Sequence, residues 1–267
     1  MNSDLEKENL RASCASSESL RTYLEKRATG HNCYKVYTRL ERVEYWVVSR
    51  AIYLSDGRRW NDIHDREAFN NGHDNVINFG TCFSFSKSES VAMWMLYGGT
   101  HKDGVMVDFQ RKHIMKILKE TESVQLGYWK ESEFVPQKVL MKDKFNIRLS
   151  DVLYFAESTE KPIAYDIKRS SESIKDTDRG AIDGLKHVKK SYAWNYENEC
   201  RLILSVDRSD VPEGAYAVKI DLGDTFAELM EENRIYEAPN YKARRHFAKS
   251  KLRGEIDWDL CFSCKNK

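Results

Sequence analysis

Apolar and polar residues alternate along several stretches of the chain, a spacing typical of β-strands that bury one face. The longest such stretch covers residues 75–86. One of its faces carries Ile77, Phe79, Thr81, Phe83 and Phe85. The other carries Cys82, Ser84 and Ser86, whose small side chains leave room either for a ligand or for a closely approaching backbone. Further strands are predicted at 34–40, 51–55, 103–109, 123–129, 133–141 and 215–221.

Helical spacing and helix-terminating residues occur between these strands. The run from Glu89 to Tyr97 is apolar on most sides, follows serines that can cap it, and ends at Gly98. Other helices are predicted at 16–30, 42–50, 111–120, 151–157, 181–192 and 224–233. Residues 157–180 are rich in serine, lysine and aspartate, which predicts an exposed connection. This mixture of strands and helices predicts an α+β fold.

One stretch, residues 190–204, carries the strongest candidate chemistry. If its second half is extended, Glu197, Glu199 and Arg201 lie on one face and Cys200, Leu202 and Leu204 on the other. Two carboxylates at this spacing perturb each other, and Arg201 can hold one of them ionised. The same pattern also fits an edge strand with a half-solvated, self-compensating charged face. Both interpretations stay open at this point.

Composition and charge narrow the class of protein. The chain has 267 residues, enough for one elaborated domain. Its 43 basic and 42 acidic side chains nearly balance, so net charge gives no reason to expect nucleic acid. No apolar run is long enough to span a bilayer, and the polar, acidic N-terminus lacks the pattern of a secretory signal. We therefore expect a cytoplasmic protein without a membrane partner.

Motifs for binding metals or phosphates are scarce. Among the six cysteines, only Cys261 and Cys264 have ligand-like spacing, and zinc needs two further ligands. No metal site is therefore predicted. The C-terminal tail is the best candidate for phosphate contacts, although a solvated helix face explains the same charges. Its basic residues are Lys242, Arg244, Arg245, Lys249, Lys251 and Arg253.

Several short motifs follow one another in a recognisable order. The most specific is the run from Trp194 to Arg201, with the pattern Trp-x-Tyr-Glu-x-Glu-x-Arg. The others are Trp60-Asn61-Asp62, Cys82-Phe83-Ser84, Met93-Trp94, Tyr97-Gly98, Gly104 with Val105, Val107 and Phe109, and Lys190-Ser191. Together they resemble the bacterial domain-of-unknown-function family 2971 over roughly residues 34–221, with a departure at Ile63, where that family usually has proline.

A second resemblance concerns the order of three features: an arginine on an early strand, a hydroxyl-bearing strand and a late Glu-x-Glu strand. This order is similar to that of the ADP-ribosyltransferases. The resemblance implies a bent or split mixed β-sheet with surrounding helices. It also implies NAD as the ADP-ribose donor, without a metal. We expect a helical extension at 1–33, the catalytic domain at 34–221 and a basic helical extension at 222–267.

The same resemblance implies roles for individual residues. Arg39 would hold the cofactor phosphate or ribose, and Ser84 or Ser86 would brace the ribose. Glu199 would be the catalytic acid, and Glu197 would align the acceptor. Tyr37, Tyr97 or Trp94 would stack on nicotinamide or adenine, although Trp94 on a buried helix also fits a core position. Lys189, Lys190 and Arg201 would contact the substrate that accepts the ADP-ribose.

Transferases of this kind often act as toxins, in toxin–antitoxin pairs or in defence against phages. We therefore expect a macromolecular acceptor, with RNA or DNA favoured by the basic residues, and an antitoxin protein as a further partner. One alternative is a non-catalytic binding or sensor module in which the Glu-x-Glu pair is structural. A second alternative is a metal-dependent nuclease that uses His64 and Asp65.

Overall fold

The computed structural model describes residues 16–60, 62–70, 75–98, 103–156, 163–164, 185–239 and 247–252. Their contacts divide the chain into two units built from interleaved segments. The first unit contains the described parts of Met1–His31, Tyr53–Cys82 and Glu120–Ile220. The second unit contains the described parts of Asn32–Ile52, Phe83–Lys119 and Asp221–Lys267.

Helices and strands alternate up to residue 120, and most of the described residues beyond it lie in strands and turns. The helices are α1 (Ser17–Ala28), α2 (Leu40–Ser49), α3 (Ile63–Asn70), α4 (Val91–Met93, continued by π-helical Trp94–Gly98), α5 (Arg111–Glu120) and α6 (Thr225–Glu231). The strands are β1 (Cys33–Arg39), β2 (Ala51–Ser55), β3 (Val76–Ser84), β4 (Gly104–Gln110), β5 (Ser123–Lys130), β6 (Glu133–Met141), β7 (Phe145–Asp151), β8 (Leu153–Ala156), β9 (Ile163–Ala164), β10 (Lys189–Ser191), β11 (Glu199–Asp207), β12 (Ala217–Asp221), β13 (Ile235–Glu237) and β14 (Ala248–Lys249).

The strands of the first unit place β11 in an interior position. Their order is β3, β2, β12, β5 and β6, and β11 pairs with both β3 and β7. The β7–β11 ladder is antiparallel and sets Arg201 opposite Ser150. A smaller sheet joins β10 to β8 in parallel and β8 to β9 in antiparallel orientation. β11 thus has a neighbour on each edge, and its residues from Glu199 to Leu204 are all buried, so protein covers both of its faces there.

Helix α1 contributes to the core of the first unit. It begins after Ser16, whose hydroxyl accepts a hydrogen bond from the Ser19 N–H at 3.1 Å and so caps the helix. Its buried leucines belong to one apolar cluster, which comprises Leu20, Leu24, Phe69, Leu153, Leu185, Val188 and Ile203. The same cluster holds Phe69 of α3 and Ile203 of β11, so packing fixes the two elements that carry the candidate site.

The second unit is a mixed sheet with α2, α4, α5 and α6. Its strands follow the order β14, β13, β4 and β1, and Ser84 of β3 lies beside Lys35 of β1. The β1–β4 ladder is antiparallel, whereas β13 and β14 run parallel. Gly104 opens β4 because a Cβ atom there would lie 1.4 Å from the Gly98 carbonyl oxygen. The predicted α+β class with a mixed sheet is confirmed.

Several predicted elements match the structure closely and others are wrong. The predictions for 51–55, 111–120 and 133–141 are confirmed at both ends. The helix predicted at 151–157 is wrong, because Leu153–Ala156 is a strand. The described end of the helix predicted at 181–192 contains a 3₁₀ turn at Lys186–Val188 followed by strand β10. Leu153–Ala156 is apolar and Lys189–Ser191 is polar, yet β8 and β10 pair with each other, and sequence periodicity does not report such pairing.

Some predictions concern residues outside the described part of the chain. These are the connection at 157–180 apart from β9, the cysteine pair at 261 and 264, and most of the basic tail. Within the described tail, Ala248 and Lys249 form a strand where a helix is predicted. The boundaries predicted at residues 33 and 221 stay predictions. None of the described helices combines the length and the apolar character that crossing a membrane requires.

A buried charge cluster as the candidate functional site

Five charged side chains of the first unit meet below the surface, and we call them the charge cluster. They are Asp65 of α3, Lys190 of β10, Glu197 at the end of a 3₁₀ turn, and Glu199 and Arg201 of β11. Their exposed fractions are 3, 8, 4, 2 and 0%. Three carboxylates against two cations leave a net charge of −1 when all five are ionised. Charges this deeply buried persist only when they are paired.

A left-handed residue brings the two glutamates together. The predicted strand from residue 197 begins two residues late, because Tyr192–Glu197 forms a 3₁₀ turn. Asn198 then adopts φ 44° and ψ 59°, a conformation that asparagine tolerates better than most residues. The turn directs Glu197 toward the same cation that Glu199 binds from the strand. The shared location that was predicted for Glu197, Glu199 and Arg201 is therefore reached through a turn and a strand.

Arg201 binds two carboxylates of the cluster at once. Its terminal nitrogens donate to both oxygens of Asp65, at 2.7 Å and 2.5 Å. Its Nε donates to Glu199 Oε1 at 2.6 Å, and one terminal nitrogen also reaches the His187 carbonyl oxygen at 2.8 Å. This forked geometry is specific to the guanidinium group. The interpretation of β11 as an edge strand with a half-solvated charged face is wrong, because Arg201 is fully buried.

Lys190 joins the two members of the Glu-x-Glu pair. Its Nζ donates to Glu197 Oε2 at 2.6 Å and to Glu199 Oε2 at 2.7 Å. It also lies 3.7 Å from Asp65 Oδ2. The backbone N–H of Glu199 donates to the Tyr154 hydroxyl at 2.8 Å, which fixes the start of β11. Each carboxylate oxygen of Glu199 thus faces a different cation.

The cluster shifts the pKa of its carboxylates in opposite directions. Burial raises the pKa of Asp65 above its ordinary value in spite of Arg201. Burial also acts to raise the pKa of Glu199, but the attraction of Arg201 and Lys190 outweighs it and lowers the pKa. Burial acts to lower the pKa of Lys190, and Glu199 reverses this, so the pKa of Lys190 is raised. Glu199 and Lys190 therefore stay charged near neutral pH.

Aromatic rings stand beside both cations. The Trp60 ring centroid lies 4.8 Å from the guanidinium carbon of Arg201, and the Trp194 centroid lies 5.1 Å from Lys190 Nζ. Trp194 also lies near Tyr196, with a centroid distance of 6.2 Å. All three of these rings are half-buried, so each retains some solvent exposure. A planar, electron-poor ring is the kind of ligand such a wall can stack against.

The residues predicted to bind the donor lie in the second unit. Arg39 is exposed, and Tyr97 is half-buried. The Tyr37 hydroxyl accepts a hydrogen bond from the Ser90 N–H at 3.0 Å, and its side chain is buried. The Ser84 hydroxyl is buried and has no hydrogen-bond partner among the described residues. The Ser86 carbonyl oxygen accepts from Lys35.

The residues predicted to bind the acceptor lie in the first unit. Lys189 is half-buried, and it precedes Lys190 in β10. Lys190 and Arg201, which were predicted to contact the acceptor, are bound to the carboxylates of the charge cluster. These contacts indicate that Lys190 and Arg201 position Glu197 and Glu199.

Two members of the site were missed or placed in another role. Asp65 was assigned to the nuclease alternative with His64, yet it binds Arg201 while His64 is exposed. Cys82 was treated as a small strand residue, yet burial and the nearby Glu199 carboxylate raise the pKa of its thiol. No local pattern could have paired Asp65 with Arg201, because 136 positions separate them. Within the described ranges, no group of three or more His, Cys, Asp or Glu side chains is arranged to hold a metal ion.

The α+β fold and this cluster can now be compared with known proteins. Residues 93–202 match a family model described as a protein of unknown function, DUF2971. The matched range includes Lys190, Glu197, Glu199 and Arg201. It supports the resemblance to the domain-of-unknown-function family 2971. Comparisons with curated proteins and with solved structures found no match.

Proposed function

We propose that this chain is an NAD-dependent ADP-ribosyltransferase that modifies a cellular macromolecule, with nucleic acid such as RNA favoured over protein. The proposed setting is a toxin–antitoxin pair or a defence against phages. The observation that carries the proposal is the pair of hydrogen bonds that hold Glu199 in a buried site. Its two carboxylate oxygens accept from Arg201 at 2.6 Å and from Lys190 at 2.7 Å. A carboxylate held in this way stays ionised and fixed in direction.

The chemistry needs a fixed negative charge near the sugar. The bond between ribose C1′ and the nicotinamide nitrogen breaks, and nicotinamide leaves with the bonding electron pair. The acceptor's nucleophilic atom then bonds to C1′ and releases its proton to solvent. Positive charge develops on the sugar during this exchange, as in glycoside cleavage, and preorganised negative charge stabilises it. The net charge of −1 on the charge cluster has the required sign.

Individual residues fit the proposed roles to different degrees. Glu199 would stabilise the positive charge that develops on the sugar, and Lys190 and Arg201 would position the Glu199 carboxylate. The half-buried Trp194 and Tyr196 would stack on a planar base. The Ser84 hydroxyl, which has no hydrogen-bond partner in the described part of the chain, suits a hydroxyl-bearing ligand, and the exposed Arg39 guanidinium suits a diphosphate. The assignments of Tyr37, Ser86, Tyr97 and Glu197 stay predictions of the resemblance.

The direct test incubates the full-length protein with NAD labelled in its adenylate part and with RNA, DNA or protein as acceptor. We expect label to appear on one acceptor class, nucleic acid first. The substitution Glu199→Gln removes the charge at nearly constant shape and should reduce transfer by roughly 100-fold or more. Glu213→Gln, at an exposed glutamate of the same unit, should leave transfer unchanged. Circular dichroism of both variants shows whether they are folded.

The proposal is wrong if the folded wild-type protein transfers no label to any acceptor and releases no nicotinamide. If label transfer survives Glu199→Gln in a folded protein, the assignment of Glu199 is wrong although the activity stands. Cleavage of RNA or DNA without NAD, stopped by a chelator, would instead identify a metal-dependent nuclease.

A second candidate is a non-catalytic binding or sensor module with a structural charge cluster. The observation that favours it is burial, since no member of the charge cluster is more than 8% exposed. In that case Glu199→Gln should change stability, and any cellular phenotype should persist in folded variants. If expression of the wild type is toxic and expression of a folded Glu199→Gln protein is not, a purely structural role for the charge cluster is contradicted.

A further inference from the structure

Strand β1 of the second unit carries a thiol and an amine side by side. Cys33 and Lys35 are two residues apart, so they project from the same face of the strand. Their Sγ and Nζ atoms lie 3.4 Å apart. Cys33 is a free, half-buried thiol, and Lys35 is only 4% exposed. The two most nucleophilic side-chain groups of this strand therefore touch each other away from bulk solvent.

The Lys35 ammonium is held by neutral oxygens. It donates to the Ser86 carbonyl oxygen and, at 3.2 Å, to the Lys87 carbonyl oxygen. Asp108 stands opposite Lys35 across the β1–β4 ladder, but its side chain pairs with Arg234 at 3.1 Å. Lys35 thus forms no salt bridge to the described carboxylates within 4.0 Å. Its nitrogen is not committed to an ion pair.

The same segment also fixes the sulfur. Cys33 Sγ lies 3.4 Å from the Ser86 carbonyl oxygen and 3.7 Å from the Phe85 carbonyl oxygen. Sulfur and nitrogen therefore share Ser86 as a common neighbour. Holding two reacting groups in contact replaces a bimolecular encounter by an intramolecular one, which greatly raises the rate of bond formation.

We propose that Cys33 and Lys35 are a modification site at which a peroxide produces a sulfur–nitrogen crosslink. The Cys33 thiolate attacks hydrogen peroxide, the O–O bond breaks, and the sulfur is oxidised by two electrons to a sulfenic acid with loss of hydroxide. The Lys35 amine, after giving a proton to solvent, attacks this sulfur. The S–N bond forms, the S–O bond breaks, and water leaves with a second amine proton. The product lacks one hydrogen from sulfur and one from nitrogen.

The test uses the full-length folded protein, treated with hydrogen peroxide and then digested with trypsin. Trypsin does not cleave after a modified lysine, so the crosslink should give the peptide from Ala28 to Arg39 with an uncleaved Lys35. Its mass should be lower by two hydrogen atoms than that of the same unmodified sequence. Dithiothreitol should reverse the change and restore cleavage at Lys35. Cys82, a half-buried cysteine beside Glu199, serves as the internal control and should stay unlinked.

Two variants separate the crosslink from ordinary cysteine oxidation. Lys35→Arg keeps a positive charge but lacks the amine, so Cys33 should stop at the sulfenic acid, which dimedone traps. Cys33→Ser should leave Lys35 cleavable after peroxide. If either variant fails to fold, the mass spectrum of the wild-type protein still decides. Wild-type Cys33 that is oxidised without loss of cleavage at Lys35, or that resists peroxide altogether, overturns the proposal.

Discussion

At the scale of single residues, Arg201 shows how burial changes the meaning of a charge pattern. The alternation around Glu199 predicts that an arginine can hold one carboxylate ionised. The structure gives Arg201 two carboxylate partners and no solvent exposure. Taking these charges out of water is costly, and their mutual contacts offset that cost only while every partner is present. Removing one partner is therefore expected to cost much more than removing a surface pair.

Asp65→Asn tests this expectation. The change keeps the shape of the side chain but leaves Arg201 with one carboxylate fewer, so we expect the free energy of unfolding to fall by about 3–5 kcal/mol. The matched control is Asp224→Asn, which breaks an Asp–Arg pair whose side chains are 75% and 68% exposed. That loss should be about 1 kcal/mol or less. Urea unfolding of both variants measures the difference, and equal losses would contradict the role given to Asp65.

At the scale of elements, β1 and β3 were located correctly, but both faces of each strand are largely buried. In β1 one face carries Lys35 and Tyr37, which are 4% and 5% exposed. In β3 the serine-bearing face is buried as well, since Ser84 is 2% exposed. Alternation thus located the strands but did not show that their polar side chains are buried. A buried polar side chain needs a partner from another element, and sequence spacing does not supply its identity.

At the same scale, His113 of helix α5 should make the stability of the protein depend on pH. The His113 Nδ1 atom accepts a hydrogen bond from the Gln110 N–H at 3.1 Å, at the point where β4 meets α5. Burial, together with nearby Lys112, lowers the pKa of His113 below 6.5. Below about pH 6.5 the unfolded chain therefore binds more protons than the folded one. The stability that His113 contributes is complete above that pH and is lost as pH falls toward the lowered pKa.

The measurement compares urea unfolding of the wild type and of His113→Asn between about pH 7.5 and 5.5. The variant should lose less stability on acidification, by at most about 1.4 kcal/mol per pH unit. An unchanged slope in His113→Asn would show that His113 does not titrate in this way.

At the scale of the whole molecule, the proposed donor should stabilise the folded protein. A ligand that binds the folded state alone adds about 2.7 kcal/mol at a concentration of 100 times its Kd. We therefore expect NAD to raise the melting temperature by several degrees. Nicotinamide alone should produce a much smaller shift, because it lacks the diphosphate. A melting temperature that does not change with NAD at millimolar concentration would argue against NAD as the donor.

The substitution Ser84→Ala tests whether Ser84 contributes to the shift in melting temperature that NAD causes. The Ser84 hydroxyl is buried without a partner among the described residues, so its removal should leave the free protein as stable as before or slightly more so. If NAD uses that hydroxyl, the shift caused by NAD should shrink in the variant. Ser123→Ala, at an exposed serine, is the control.

The sequence by itself determined the α+β class, most strand positions and the grouping of Glu197, Glu199 and Arg201, because these depend on local periodicity and on neighbours in the chain. Tertiary structure alone decided that β11 is interior, that Asp65 completes the charge cluster and that Lys190 binds both glutamates. Contacts between segments far apart in the chain leave no trace in local spacing, and burial sets the strength of each charge. For that reason the partners of Arg201 had to be seen in three dimensions.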